Sequence, residues 1–105
     1  VLRGGENVYC TEVEAGIYRH AAVAECCVFG VPDERLGEEV GVAVVLKPGE
    51  ALDAEALRAH CLSVMAKHKV PRFVWFRAEA LPRNANGKFL RRELRDELAQ
   101  QTAEA

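Results

Sequence analysis

The apolar positions along the chain change period several times, and each change predicts an element. Val13 and Ile17 stand four apart in a stretch opened by Thr11-Glu12-Val13-Glu14, which matches a capping box. A helix is therefore expected from Thr11, with Glu14 reaching back to the cap. Val23 to Val31 is almost continuously apolar, the mark of a central strand. Alternation puts Ala24, Cys26, Val28 and Gly30 on one side of it and Val23, Cys27, Phe29 and Val31 on the other. The charged turn Pro32-Asp33-Glu34-Arg35-Leu36-Gly37 interrupts the run, and Glu39 to Lys47 resumes it through Val40, Val42, Val44 and Val45. So short a link predicts an antiparallel pair. Asp53 is placed to cap a second helix, whose Leu57, Cys61, Val64 and Met65 recur at helical spacing and should lie on the sheet. Pro71 ends that region, because the residue before a proline avoids helical geometry. Phe73-Val74-Trp75-Phe76 reads as a third strand, and Leu90, Leu94 and Leu98 predict a last helix. With Arg3-Gly4-Gly5-Glu6-Asn7 as an N-terminal loop or hairpin tip, the expected class is α+β: a small three-stranded, mainly antiparallel sheet packed with about three helices.

Composition narrows the function. The 105 residues suit one domain, spanning 1–105, and half of them are hydrophobic, an ordinary globular balance. A formal net charge of −2 gives no general attraction to nucleic acid or to an anionic membrane, so any anion site must be local. No apolar run approaches the ~20 residues of a membrane span. Cys10, Cys26, Cys27 and Cys61 lack the spacing of a zinc site and read as reduced thiols of a cytoplasmic protein; no metal site is expected. His20 reads as a surface cap at a helix end, and His60 as lying on the edge or polar side of its helix. No Ser-His-Asp set or carboxylate pair is spaced for acid–base work. The start at Val1, not Met, suggests a cut fragment.

The stretch with most chemical promise is Leu81-Pro82-Arg83-Asn84-Ala85-Asn86-Gly87-Lys88, followed by the basic segment Phe89-Leu90-Arg91-Arg92-Glu93-Leu94-Arg95. Pro82, Asn84, Asn86 and Gly87 all favour turns, and Gly87 permits a left-handed backbone. Lys88 then stands at a loop tip as a point charge suited to a phosphate or carboxylate oxygen. The stretch is not a P-loop: Pro82 stands five before Gly87 where a glycine belongs, and Phe89 follows where Ser or Thr would hold a metal.

Read together, three segments resemble one family. Arg3-Gly4-Gly5-Glu6-Asn7-Val8-Tyr9 with Glu12-Val13-Glu14 is similar to the Gly-Gly-Glu-Asn loop and adjoining helix of the adenylate-forming acyl-CoA synthetases. Leu81 to Arg92 resembles their C-terminal signature, and Val28 to Glu38 their strand and turn. The resemblance covers nearly the whole chain. It implies the C-terminal lid of a two-domain ligase whose large N-terminal domain is absent here. Such enzymes activate a carboxylic acid with ATP and Mg2+ to an acyl-adenylate, then pass the acyl group to a thiol, with the lid rotating between the steps. By the same resemblance Lys88 matches the adenylation lysine, and Gly4, Gly5 and Glu6 would line the coenzyme A channel in the second step. Leu36 and Lys69 match regions that approach the nucleotide end of coenzyme A. The Gly-Gly-Glu-Asn form leans toward fatty or aryl acid ligases, and the isolated fragment would be inactive. Cys10 departs from the pattern, standing where relatives commonly have proline, and the hinge residue would precede the chain. Two other readings stay open: the lid of an adenylation domain loading a carrier protein, and a stand-alone α+β binding module.

Overall fold

A computed structural model describes the backbone of all residues except 1, 4, 5, 36, 102, 104 and 105, and side chains from residue 8 onward. The chain opens with two short strands, β1 (Leu2–Arg3) and β2 (Glu6–Asn7), which pair antiparallel as a hairpin, and continues into helix α1 (Cys10–Tyr18). Strands β3 (Val23–Asp33) and β4 (Gly37–Leu46) form the long antiparallel ribbon that the valine pattern predicts. Helix α2 (Ala54–Val64), a 3-10 turn (Lys67–Lys69), strand β5 (Phe73–Phe76) and helix α3 (Arg91–Leu98) follow. The element order and the α+β class are those expected from sequence.

β4 is the central strand. One side pairs with β3 along its whole length; the other pairs with β1 at Gly37 and with β5 from Gly41 to Val44. The β4–β5 pairing is parallel. The connection between them carries α2, and a crossover of that kind is what a parallel neighbour requires.

Helices cover both faces, which is why β3 and β4 are apolar at nearly every position. On one face Val13 and Ile17 of α1 and Leu57 and Cys61 of α2 pack on Cys26, Val28, Val40, Val42, Val44 and Val74. On the other, Leu94 and Leu98 of α3 pack with Leu81 on Cys27, Phe29, Ala43 and Trp75. Each fully buried leucine contributes about 1.5–3 kcal/mol, so α3 is fastened to the sheet mainly by Leu94 and Leu98, both 0% exposed. Gly41 lets that face close: a Cβ there would fall 2.7 Å from Val31 Cγ2 and 3.0 Å from Trp75 Cζ3.

Two local expectations are corrected. The register of β3 shifts between Val23 and Glu25, a bulge that reverses parity, so Val23 joins the side of Cys26 and Val28 and not that of Cys27 and Phe29. α1 begins at Cys10 with Tyr9 as its N-cap and no side-chain cap bond, so the Thr11–Glu14 capping box does not form. The Glu14 carboxylate turns inward instead. Its Oε2 accepts from the Val28 N–H at 2.7 Å and pairs with Arg91 Nη1 at 2.6 Å, while the same Arg91 Nη1 donates to the Val28 carbonyl. Two residues back on the outer edge of β3, Tyr18 Oη accepts from the Cys26 N–H at 3.0 Å and donates to its carbonyl at 3.4 Å. Side chains thus satisfy edge backbone groups that a further strand would otherwise pair. The Asp53 cap does form, its Oδ1 accepting from the Ala56 N–H at 2.7 Å.

Candidate functional site

The lysine loop is a miniature hairpin built after β5. The Leu90 N–H donates to Pro82 O at 3.0 Å and the Asn84 N–H to Lys88 O at 2.8 Å, with Arg83 and Phe89 bridged between them. Its tip turns through a Gly87 N–H to Asn84 O bond at 3.0 Å. Gly87 has φ +80° and open space where a Cβ would stand, so glycine is required here by backbone conformation and not by crowding. The Asn84 side chain organises the tip: its Oδ1 accepts from the Asn86 N–H at 2.9 Å and the Lys88 N–H at 3.0 Å. An Asx turn has this form.

The rest of the support comes from far away in sequence. Arg83 Nη1 donates to the Gly87 carbonyl at 2.9 Å, Arg83 Nη2 pairs with Glu25 Oε2 at 3.1 Å, and the guanidinium lies 4.1 Å from the Phe89 ring centre. Glu25 Oε1 accepts from the Leu81 N–H at 2.7 Å. The peptide unit between Gly87 and Lys88 is therefore held at both its carbonyl and its N–H, while Lys88 itself is exposed and its ammonium meets no carboxylate among the described residues. A fixed backbone carrying a mobile cation suits electrostatic work on an oxyanion brought from outside.

Three residues after Lys88, Arg91 begins α3 and anchors it to β3 through Glu14 and Val28. Burial works against the charge of Arg91, but the hydrogen bond and charge of Glu14 more than offset it, holding the guanidinium above its ordinary value. Beside it lies an open cleft of about 320 Å³ lined by Cys10, Phe29, Gly30, Arg91, Arg92 and Arg95.

The other expected site residues are spread around the fold. Lys69 ends the 3-10 turn and forms an ion pair with Glu12 of α1, its side chain 22% exposed. Glu6 lies in β2, paired with Arg3. Gly4, Gly5 and Leu36 lie outside the described residues. The hairpin meets the sheet at Arg3 opposite Gly37, and Gly37 pairs with Asp33, whereas the lysine loop is tied at Glu25. Residues 25 and 33 stand eight positions apart on β3, a rise of about 26 Å for an untwisted strand. The two loops are anchored at opposite ends of the ribbon.

Of the supporting residues, Glu25 and Arg83 have no role in the sequence reading, while Glu14 reads as part of a cap and Asn84 as a turn former. Asn84 had a local signal in the Asn-x-Asn-Gly pattern and Glu14 one for a different role, a cap; Glu25 had none, since its partners Leu81 and Arg83 lie 56 and 58 residues on.

Comparison with known proteins decides the family. A family profile described as the AMP-binding enzyme C-terminal domain matches residues 12–88. The chain belongs to that family. As an AMP-binding enzyme C-terminal domain, it is 47% identical over 97 residues to a long-chain-fatty-acid–CoA ligase of Bacillus subtilis and 45% identical over 95 residues to a 2-succinylbenzoate–CoA ligase of Bacillus cereus. Those matches take in 92% and 90% of this chain but only 17% and 19% of the relatives, so the chain spans under a fifth of their length. Among solved structures, apo MatB from Rhodopseudomonas palustris superposes on the domain with a TM-score of 0.88 at 36% identity, covering 95% of this chain and 20% of that one. No described helix is long and apolar enough to cross a membrane.

Proposed function

We propose that the domain is the C-terminal lid of an ATP-dependent, AMP-forming ligase that joins a fatty or aryl carboxylic acid to coenzyme A in the cytoplasm, its larger N-terminal domain belonging to the same polypeptide. Lys88 is the catalytic residue of the first half-reaction. There a carboxylate oxygen of the acid attacks the α-phosphorus of ATP and pyrophosphate leaves; an ammonium between the two anions offsets the charge gathering where the bond forms, an effect typically worth a few kcal/mol. The observation that carries this reading is the exposed Lys88, whose ammonium meets no carboxylate among the described residues, on a loop that holds the Gly87–Lys88 peptide at both its carbonyl and its N–H.

In the second half-reaction the lid turns to present Gly4, Gly5 and Glu6. The thiol sulfur of coenzyme A attacks the acyl carbonyl carbon, AMP leaves, and a thioester results. Glycines suit a narrow channel because they put no side chain in the path of the thiol arm. Leu36 and Lys69 approach the nucleotide end of coenzyme A. The anchoring of the two loops at opposite ends of the β3–β4 ribbon supports separate orientations for the two steps, and the named relatives, both CoA ligases, support coenzyme A as acceptor. The ATP and the Mg2+ that accompanies it are held mainly by the larger domain.

The test is Lys88→Ala in the full-length enzyme, with acid-dependent pyrophosphate release and thioester formation from supplied acyl-adenylate assayed separately. Loss of the first with the second largely kept is expected. Equal loss of both, or of neither, overturns the assignment of Lys88.

A further inference from the structure

The loop that carries Lys88 is tied to the sheet through Glu25. Glu25 stands on the outer edge of β3 just past the bulge, with its side chain 19% exposed, and uses its two carboxylate oxygens for two different tasks. Oε1 accepts from the Leu81 N–H, fixing the start of the loop; Oε2 pairs with Arg83. Arg83 spends the other arm of its fork on the carbonyl of Gly87, the residue immediately before Lys88. A guanidinium can bridge two acceptors in this way because its donors lie in one rigid plane, and the Phe89 ring beneath fixes that plane. Glu25, Arg83 and the Gly87–Lys88 peptide form one unbroken line from the sheet to the cation.

The bulge explains how Glu25 comes to be there. The register shift between Val23 and Glu25 interrupts the alternation at Ala24, and the strand then carries an acidic side chain at the point where the loop begins. Among the described residues nothing else uses the carboxylate. Its partners are all in the stretch from Leu81 to Gly87, so its consequence is local to the lysine.

We propose that Glu25 is a positioning residue for the adenylation half-reaction, aiming Lys88 through Arg83. The inference rests on the role of Lys88 stated above. Without the Glu25–Arg83 pair the Gly87 carbonyl loses its oriented donor, and the peptide that sets the direction of the lysine side chain is free to tilt. A cation displaced by an ångström where charge is developing loses much of its effect. The thioester step, which the lysine loop does not serve, is untouched.

The experiment is a cycle in the full-length enzyme: Glu25→Gln, Arg83→Lys and Lys88→Ala, each alone, and each of the first two combined with Lys88→Ala. Both half-reactions and the melting temperature are measured. Glu25→Gln keeps an acceptor for Leu81 but removes the charge; Arg83→Lys keeps the charge but cannot span Glu25 and the Gly87 carbonyl. Each alone is expected to lower adenylation roughly ten- to hundredfold, with little change in KM for ATP and thioester formation retained. In the Lys88→Ala background neither should lower adenylation further. If both half-reactions fall together, or if the losses multiply with Lys88→Ala, Glu25 is merely structural and the inference is wrong. If Lys88→Ala itself leaves adenylation intact, the role of Lys88 fails and this proposal with it, a result distinct from one in which only Glu25→Gln and Arg83→Lys are silent. Should Glu25→Gln fail to fold, Arg83→Lys alone decides.

Discussion

Lys69 and Glu12 form an ion pair between positions 57 apart in sequence, joining the turn after α2 to the first turn of α1. Glu12 is half exposed, so the pair adds little to stability, about 0–1 kcal/mol for ion pairs of this kind. Its interest lies in competition, because a carboxylate occupies the charge that a coenzyme A phosphate would use. Lys69→Ala is expected to raise the KM for coenzyme A several-fold with adenylation unchanged, and Glu12→Gln, which releases the lysine, to lower it. Initial-rate measurements at varied coenzyme A check both; a Glu12→Gln enzyme with a raised KM would show that the pair itself shapes the surface.

Breaking the link between α1 and α3 should be costly. Glu14→Gln keeps the size of the side chain but removes its charge and one acceptor oxygen, leaving Arg91, 35% exposed, with neutral partners alone, and should destabilise the chain by about 2–3 kcal/mol. Adding Arg91→Met should cost less than the sum of the two single changes, since no half-buried charge is then left alone. Urea unfolding midpoints of the four chains give the answer.

Stability should fall on the alkaline side. Burial pushes the thiol of Cys27 up to about 12 and that of Cys61 up to about 11, and raises Cys26 further, from an ordinary value of 9.0. Above that ordinary value the unfolded thiols ionise while the folded ones stay protonated, so the stabilisation is complete below pH 9.0 and is lost as pH rises toward the folded values. Each such thiol accounts for about 1.4 kcal/mol per pH unit within the window. Unfolding midpoints at pH 8 and pH 10 should differ accordingly, and Cys27→Ala should flatten the slope by one thiol's share.

Gly87→Ala should cost about 1–2 kcal/mol through its left-handed backbone alone, because the added methyl meets open space. Gly87→Asn should cost less, asparagine tolerating that region better. Equal losses in the two variants would point to a contact at Gly87 in place of backbone strain.

The valine pattern sufficed for the ribbon, and the spacing of Leu57 with Cys61 and of Leu94 with Leu98 sufficed for the faces of α2 and α3, because burial on a regular element repeats at the period of that element. What failed was local motif reading where a distant partner competes. Thr11 and Glu14 carry a capping signature, yet Arg91 and the Val28 N–H offer the Glu14 carboxylate a charge and a buried donor, which outweigh a solvated cap. One extra residue at Ala24 reversed the parity of Val23, and no periodicity reports a bulge in advance. The direction of β5 likewise depends on where α2 returns the chain, not on Phe73 to Phe76. For the lysine loop, the turn chemistry of Asn86 and Gly87 was legible and the tether to Glu25 was not, since sequence distance hides a hydrogen bond that the sheet makes short.

A sheet whose rim is open invites recruitment by neighbouring molecules. Here Tyr18 occupies the outward N–H and carbonyl of Cys26, and Glu14 with Arg91 those of Val28, so this part of β3 offers no template on which a second chain could add itself. The consequence is colloidal: the side chains that hold the helices to the sheet also protect that flank from aggregation.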